Sequence, residues 1–197
     1  MEPRHGSLIV VSAGSGAGKS TLCVKLLRRR KNLKFSISAT TRLPRPGERD
    51  GREYFFVTEA AFKAMRSRNE LAEWANVHGN FYGTPRPFVE RTLASGLDVL
   101  LDIDVQGALA VKKLFPQAVL IFITAPSFQE MERRLRARSS EREADIQRRL
   151  ADAQRELKLL SRYDYHVVND RVTQAVHRLA AILDAEAMRI LKKKTKY

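Results

Sequence analysis

Short apolar runs separated by longer polar stretches punctuate the chain, and their periods predict an alternation of strands and helices. Leu8 to Val11 (LIVV) is followed by small residues and then by a basic amphipathic run opening at Lys19, an order of strand, loop and helix. Leu97 to Asp104 (LDVLLDID) and Val119 to Thr124, the latter bounded by Pro116 and Pro126, read as buried strands, and Tyr165 to Val168 as a short last one. Gln106 to Leu114 is expected to be helical. The charged stretch Ser127 to Leu160 predicts two helices joined at ARSSERE. In the closing helix Val172, Val176, Leu179 and Leu183 recur at helical spacing, with Asn169 or Asp170 as its cap.

Residues 35–96 break this rhythm. Phe35 to Thr41 alternates loosely, LPRPGERDG is rich in turn residues, and REYFFV is again extended, so two extended segments joined by a long turn are expected. Thr58 caps a predicted helix, TEAAFKAMRSRN, with Phe62 and Met65 on one side. Glu70 to Val77 reads as extended, HGNFYGTP as a turn cluster and Arg86 to Ser95 as a helix. The whole segment is an insertion whose aromatic and arginine content suggests a binding subdomain.

Composition narrows the class. The chain has 197 residues, enough for one sizeable core, and no apolar run approaches the roughly 20 residues of a membrane span. The start, MEPRHGS, lacks the apolar stretch of a signal peptide, and Cys23 is the sole cysteine, so no internal disulfide is possible; a cytoplasmic location is expected. Lys and Arg outnumber Asp and Glu by 36 to 22, a net charge of +14. Such a balance suits nucleic acid, an acidic surface or several anionic small molecules, while most of the charge is expected on solvated helix surface and in the tail 191–197.

The candidate chemistry begins at Ala13-Gly14-Ser15-Gly16-Ala17-Gly18-Lys19-Ser20-Thr21. Glycines let backbone N–H groups approach phosphate oxygens closely, and a helix opening at Lys19 adds its positive dipole end. Lys19 is expected on the outer phosphates of a nucleotide, with the hydroxyl of Ser20 or Thr21 on Mg²⁺. The strict phosphate-loop pattern has glycine where this chain has Ala13, so Ala13 and Gly14 exchange roles. Asp102 and Asp104, two apart at a strand end, are expected to project together beside the loop, Asp102 toward Mg²⁺ directly or through water. The alternative is that one of them caps the following helix.

Six blocks in order, SAGSGAGKST, SATTRLPRPGERDGREYFF, EWANVHGNFYGTP, LDIDVQGA, RRLRARSS with IQRRL, and VVND, make residues 6–185 resemble the bacterial guanylate kinases. The resemblance implies a P-loop NTPase core of three α/β layers with a parallel sheet (about 6–34, 97–126 and 160–190), an inserted mixed GMP-binding subdomain (about 35–96) and a helical lid (about 127–159). It implies transfer of the γ-phosphate of ATP to GMP, with dGMP as an expected second acceptor, and Mg²⁺ as cofactor. ATP and GMP are then the partners, with neither nucleic acid nor membrane required.

Position by position, the resemblance implies that Arg42, Arg45, Tyr54 and Tyr82 hold the GMP phosphate and that Ser38, Glu73, Thr84 and Asp104 surround the guanine. Arg134, Arg138 and Arg149 correspond to lid and catalytic arginines, Asn169 to a residue near the adenine, and Lys19, Arg42 and Asp102 join the catalytic set. Many family members carry proline at the position of Gly14 and glycine at that of Ser139. Three rivals remain at this stage: a binding module of the same fold without catalysis, a nucleic-acid-binding protein, and a kinase for another small phosphorylated substrate.

Overall fold

The computed structural model describes residues 5–77, 79–138 and 143–189, with only the backbone of Arg138. Strand β1 (Leu8–Ala13) leads through the glycine loop into helix α1 (Lys19–Arg29), followed by β2 (Leu33–Phe35), β3 (Ala39–Thr40), β4 (Phe55–Phe56), α2 (Glu59–Ser67), β5 (Leu71–Val77), β6 (Asn80–Pro85) and α3 (Arg86–Ala94). The second half runs β7 (Asp98–Asp102), α4 (Val105–Leu114), β8 (Val119–Thr124), α5 (Phe128–Arg138), α6 (Glu143–Leu157), a 3-10 turn, β9 (Tyr165–Val168) and α7 (Val172–Ala187).

The main sheet has the order β2-β7-β1-β8-β9, and every pairing in it is parallel. A parallel sheet needs cover on both faces, which explains the unbroken apolar runs. Ile9, Val11, Ile121 and Ile123 pack with Leu22 and Leu26 of α1 and Leu179 and Leu183 of α7. The alternate residues Leu8, Val10, Leu101 and Leu120 pack with Val89 and Leu93 of α3 and Ala108 and Val111 of α4. Three layers result. Helices α5 and α6 add a separate small core of Met131, Leu135, Ile146, Leu150 and Ala153. Among the described residues no helix is long and apolar enough to cross a membrane.

A second sheet, ordered β4-β3-β6-β5, is mixed: β3 runs parallel to β4 and antiparallel to β6, which pairs antiparallel with β5. Phe62 of α2, fully buried, stacks on Phe81 with ring centroids 5.4 Å apart. Thr58 caps α2 as expected, its hydroxyl accepting from the Ala61 N–H.

Several expected boundaries shift. The segment from Phe35 divides between sheets: Leu33–Phe35 is an edge strand of the main sheet and Ala39–Thr40 belongs to the second. HGNFYGTP is mostly strand, because the turn is confined to residues before Asn80, where Gly79 has φ 82° and donates to Asn76 Oδ1. Gly83 sits in that strand because a Cβ there would lie 3.0 Å from both Phe62 and Leu71. The run to Asp104 ends as strand at Asp102, and Asp104 caps α4. Neither Asn169 nor Asp170 caps α7, whose cap position is Arg171: Asn169 bonds the phosphate loop, and Asp170 pairs with Arg178. Ser139 and the tail 191–197 lie outside the described residues.

Candidate active site

Parallel strands β1, β7 and β8 all end at one edge of the main sheet, and the site is built on that edge. Between β1 and α1 the loop from Gly14 to Gly18 turns sharply, with left-handed backbone at Gly16 (φ 84°) and Gly18 (φ 85°). A Cβ on Gly18 would come within 2.6 Å of Asn169 Nδ2, so Asn169 closes the loop on that side. Asn169 is buried, and its Nδ2 donates to the carbonyl of Ala17 at 2.7 Å. Its own carbonyl accepts from Arg134 Nη2 at 3.1 Å, while Arg134 Nε donates to Glu130 at 2.7 Å.

Lys19, the first residue of α1, reaches across to Asp102, the last residue of β7: Nζ and Oδ1 are 2.6 Å apart, and Nζ also donates to the carbonyl of Ile103 at 3.0 Å. Burial is the strongest influence on the ammonium and opposes its charge, yet the attraction of Asp102 and its hydrogen bond, with Cys23 and Asp104 adding to them, outweighs burial and raises the pKa. From α6, Arg149 Nε approaches Ser15 Oγ at 3.4 Å. Arg138 ends α5, and its side chain lies outside the described residues.

One cavity of about 500 Å³ joins this edge to the second sheet, and Lys19, Ser20, Asp102 and Arg149 line it together with Ser38, Arg42, Arg45, Tyr54, Glu73, Tyr82 and Asp104. Thr21 does not line it; that side chain shares an exposed face of α1 with Val24, Lys25 and Arg28. Thr84 is fully buried behind Glu73 rather than facing the cavity. The β5–β6 register sets Glu73 opposite Thr84, whose hydroxyl donates to Glu73 Oε1 at 2.6 Å. Burial pushes the Glu73 carboxyl up to about 7; the Thr84 hydrogen bond pulls the other way and the charge of Asp104 adds to the rise. Asp102 and Asp104 share the cavity but do different work, since Asp104 Oδ1 accepts from the Gly107 N–H at 2.8 Å.

At the other wall, Arg42 Nη2 donates to both oxygens of Glu48, at 2.9 and 3.0 Å, and Glu48 Oε2 accepts from the Arg45 N–H at 2.7 Å. Glu48 thereby stiffens the proline-rich turn that carries both arginines. Tyr54 and Tyr82 meet edge to face at 5.8 Å, with the Arg42 guanidinium 5.4 Å from the Tyr54 ring centroid. Sequence reasoning missed Glu48 and Glu53, which also line the cavity. For Glu48 the signal was its place three residues after Arg45 in a turn, the reach of a carboxylate to a backbone N–H.

Hard oxygen donors, the Asp102 carboxylate and the Ser20 hydroxyl, stand on this cavity beside Lys19, a set that fits Mg²⁺. Among the described residues no group of three or more His, Cys, Asp or Glu side chains could hold a metal alone. Much of the basic excess on α5 and α6 is tied up in ion pairs, including Arg133 and Arg134 with Glu130 and Arg136 with Glu132 and Glu143.

A family profile described as guanylate kinase matches residues 5–186. The chain is 51% identical over 193 residues to the guanylate kinase of Desulfitobacterium hafniense, covering 98% of this chain and 96% of that protein. It is 44% identical to the guanylate kinase of Thermotoga maritima, with 97% and 92% covered. The crystal structure of guanylate kinase from Anaplasma phagocytophilum is similar with a TM-score of 0.78 at 36% identity, covering 94% of this chain and 88% of that one.

Proposed function

The chain belongs to the guanylate kinase family, which phosphorylates GMP with ATP, and from that premise we propose how its own residues divide the reaction. The observation that carries the proposal is the single cavity running from Lys19 and Asp102 to Glu73 and Arg42. It gives two anionic substrates one shared space.

On the ATP side, the backbone N–H groups from Gly14 to Gly18 cradle the phosphates and Lys19 neutralises the outer ones. The Lys19 ammonium carries three N–H donors, and Asp102 and the Ile103 carbonyl take two of them, which leaves one for a phosphate oxygen. Asn169 holds the loop through the Ala17 carbonyl and Arg134 through its own backbone carbonyl, and so sets the place of both beside the adenine. Ser20 and Asp102 are the residues that would hold Mg²⁺. When bound, the metal supplies charge neutralisation between phosphate oxygens and orients them.

On the GMP side, Arg42, Arg45, Tyr54 and Tyr82 take the phosphate. Arg42 exchanges Glu48 for it, one pair of carboxylate oxygens for phosphate oxygens. Glu73, fixed by Thr84, accepts from the ring N1–H and the exocyclic amino group of guanine, a donor pair adenine lacks, while Ser38 and Asp104 complete the pocket. A phosphate oxygen of GMP then forms the new bond to the γ-phosphorus as the bond to the β–γ bridging oxygen breaks, leaving ADP and GDP. The nucleophile is already ionised, so no side chain has to remove a proton. Lys19, Arg149, Arg138 and Arg42 neutralise the charge that shifts during transfer. Residues 35–96 serve as the GMP subdomain and 127–159 as the lid, which close over both substrates and exclude water. The reaction takes place in the cytoplasm, where both nucleotides are available.

The test is ADP formation from Mg·ATP with GMP, AMP, CMP and UMP offered separately, with Lys19→Ala as control. Turnover with GMP alone, lost in the variant, is expected. Equal turnover of AMP would contradict the assignment of the guanine site.

A further inference from the structure

Gly107, in the first turn of α4, is buried, and nothing in its backbone calls for glycine: its φ is not in the left-handed region, and its N–H is capped by Asp104. Within a helix glycine is the least favourable residue apart from proline. The reason for it lies in space. A Cβ built there would stand 2.8 Å from Glu73 Oε2 and 3.2 Å from both Glu73 Cδ and Asp104 Oδ1.

We propose that Gly107 is a specificity-determining positioning residue: its bare Cα lets the Glu73 carboxylate sit against α4, pinned between that helix and the Thr84 hydroxyl. The inference rests on the reading of Glu73 as the guanine-recognising group. The Thr84 hydrogen bond of 2.6 Å to Oε1 fixes one oxygen, and the close approach to α4 fixes where the other lies. A methyl group at position 107 forces the carboxylate to retreat by several tenths of an ångström, either stretching the Thr84 bond or pushing into the cavity that Glu73 lines.

Gly83 supplies the contrast. A Cβ there meets the Phe62 ring and the Glu73 carbonyl, parts of the subdomain that cannot move without repacking, so substitution at Gly83 damages the fold. At Gly107 the nearest atom is instead the far end of a flexible side chain. The cost of a methyl therefore falls on recognition, while the helix itself gains from alanine.

The experiment compares Gly107→Ala, Glu73→Gln and the double variant for kcat and KM with GMP and AMP at saturating Mg·ATP, with the KM for ATP and the thermal midpoint alongside. For Gly107→Ala we expect the KM for GMP to rise about tenfold or more and the GMP-to-AMP ratio of kcat/KM to fall by about tenfold or more. The KM for ATP stays within about twofold, and the thermal midpoint is unchanged or higher. In the Glu73→Gln background the same alanine changes the ratio by less than about twofold, because the two residues act as one unit. A Gly107→Ala protein with wild-type KM and ratio, one that fails to fold, or one whose ATP and GMP constants worsen together would overturn the inference. If Glu73→Gln keeps the wild-type ratio, the reading of Glu73 itself fails, a result distinct from all of these.

Discussion

Lys19 and Asp102 face each other across the end of the sheet at 2.6 Å, the ammonium of the first α1 residue against the carboxylate that closes β7. Each neutralises a charge that only partly reaches water, with side-chain exposures of 21% and 16%. Removing one partner strands the other. Asp102→Ala is expected to destabilise the nucleotide-free protein by about 2 kcal/mol, less than a fully buried pair would cost. Lys19→Ala is expected to lower kcat by about a thousandfold with little change in GMP affinity. Denaturant unfolding without ligand and steady-state rates check the two parts separately.

Glu73 predicts a pH dependence whose direction follows from its burial. Its carboxyl, pushed up to about 7, must be ionised to accept two donors from guanine. The KM for GMP should therefore rise as the pH falls below 7, approaching about tenfold per unit. Because the phosphate of GMP also titrates near about 6, the comparison is with Glu73→Gln, which keeps only the ligand's share of the effect. Stability runs the opposite way. A carboxyl raised by folding contributes stability that is fully present below its ordinary value of 4.5 and lost as the pH rises through about 7. Ligand-free protein should thus become less stable over that window, by on the order of 3 kcal/mol, and Glu73→Gln should remove the slope.

The strands that end at the site were legible in the sequence: the apolar run Val119 to Thr124, bounded by prolines, matches β8 residue for residue, and Tyr165 to Val168 matches β9 although His166 interrupts it. Elements whose partners lie far along the chain were harder to read. Leu33–Phe35 is an edge strand of three residues recognisable only through its pairing with β7, and Asn80–Pro85 looks like a turn until Phe81 is seen stacked on Phe62. The site divides in the same way. Ser38, Arg42, Arg45, Tyr54, Glu73, Tyr82, Asp102 and Asp104, far apart in the chain, line one cavity. The sequence had offered helix capping as the alternative for one of the two aspartates, and Asp104 takes it; the spacing of Glu48 after Arg45 carried a signal that was not read. Two second roles were invisible, Thr84 behind Glu73 and Asn169 tying down the phosphate loop, because each depends on a contact between residues that neither spacing nor composition brings together.

Asn169 links the loop at Ala17 to Arg134 in the middle of α5. Asn169→Ala removes the donor to the Ala17 carbonyl and is expected to cost about 1–2 kcal/mol of stability and to raise the KM for ATP severalfold. The KM for GMP should not change. Thermal unfolding and separate KM determinations for the two nucleotides check this.

Closure gives a hydrodynamic signature. A chain of this length has an expected radius of gyration of about 16 Å, and inward movement of the GMP subdomain and of α5 and α6 should reduce it by roughly 1 Å. Small-angle scattering with a non-hydrolysable ATP analogue plus GMP is expected to show the full change, and either ligand alone a smaller one. An unchanged profile would count against closure.

If one carboxylate selects the acceptor, the GMP-to-AMP ratio of kcat/KM separates the wild-type protein from Glu73→Gln under identical Mg·ATP. The ratio is expected to fall by about a hundredfold or more in the variant, with the KM for ATP unchanged. A ratio that survives the substitution would contradict it and move guanine selection to another part of the cavity.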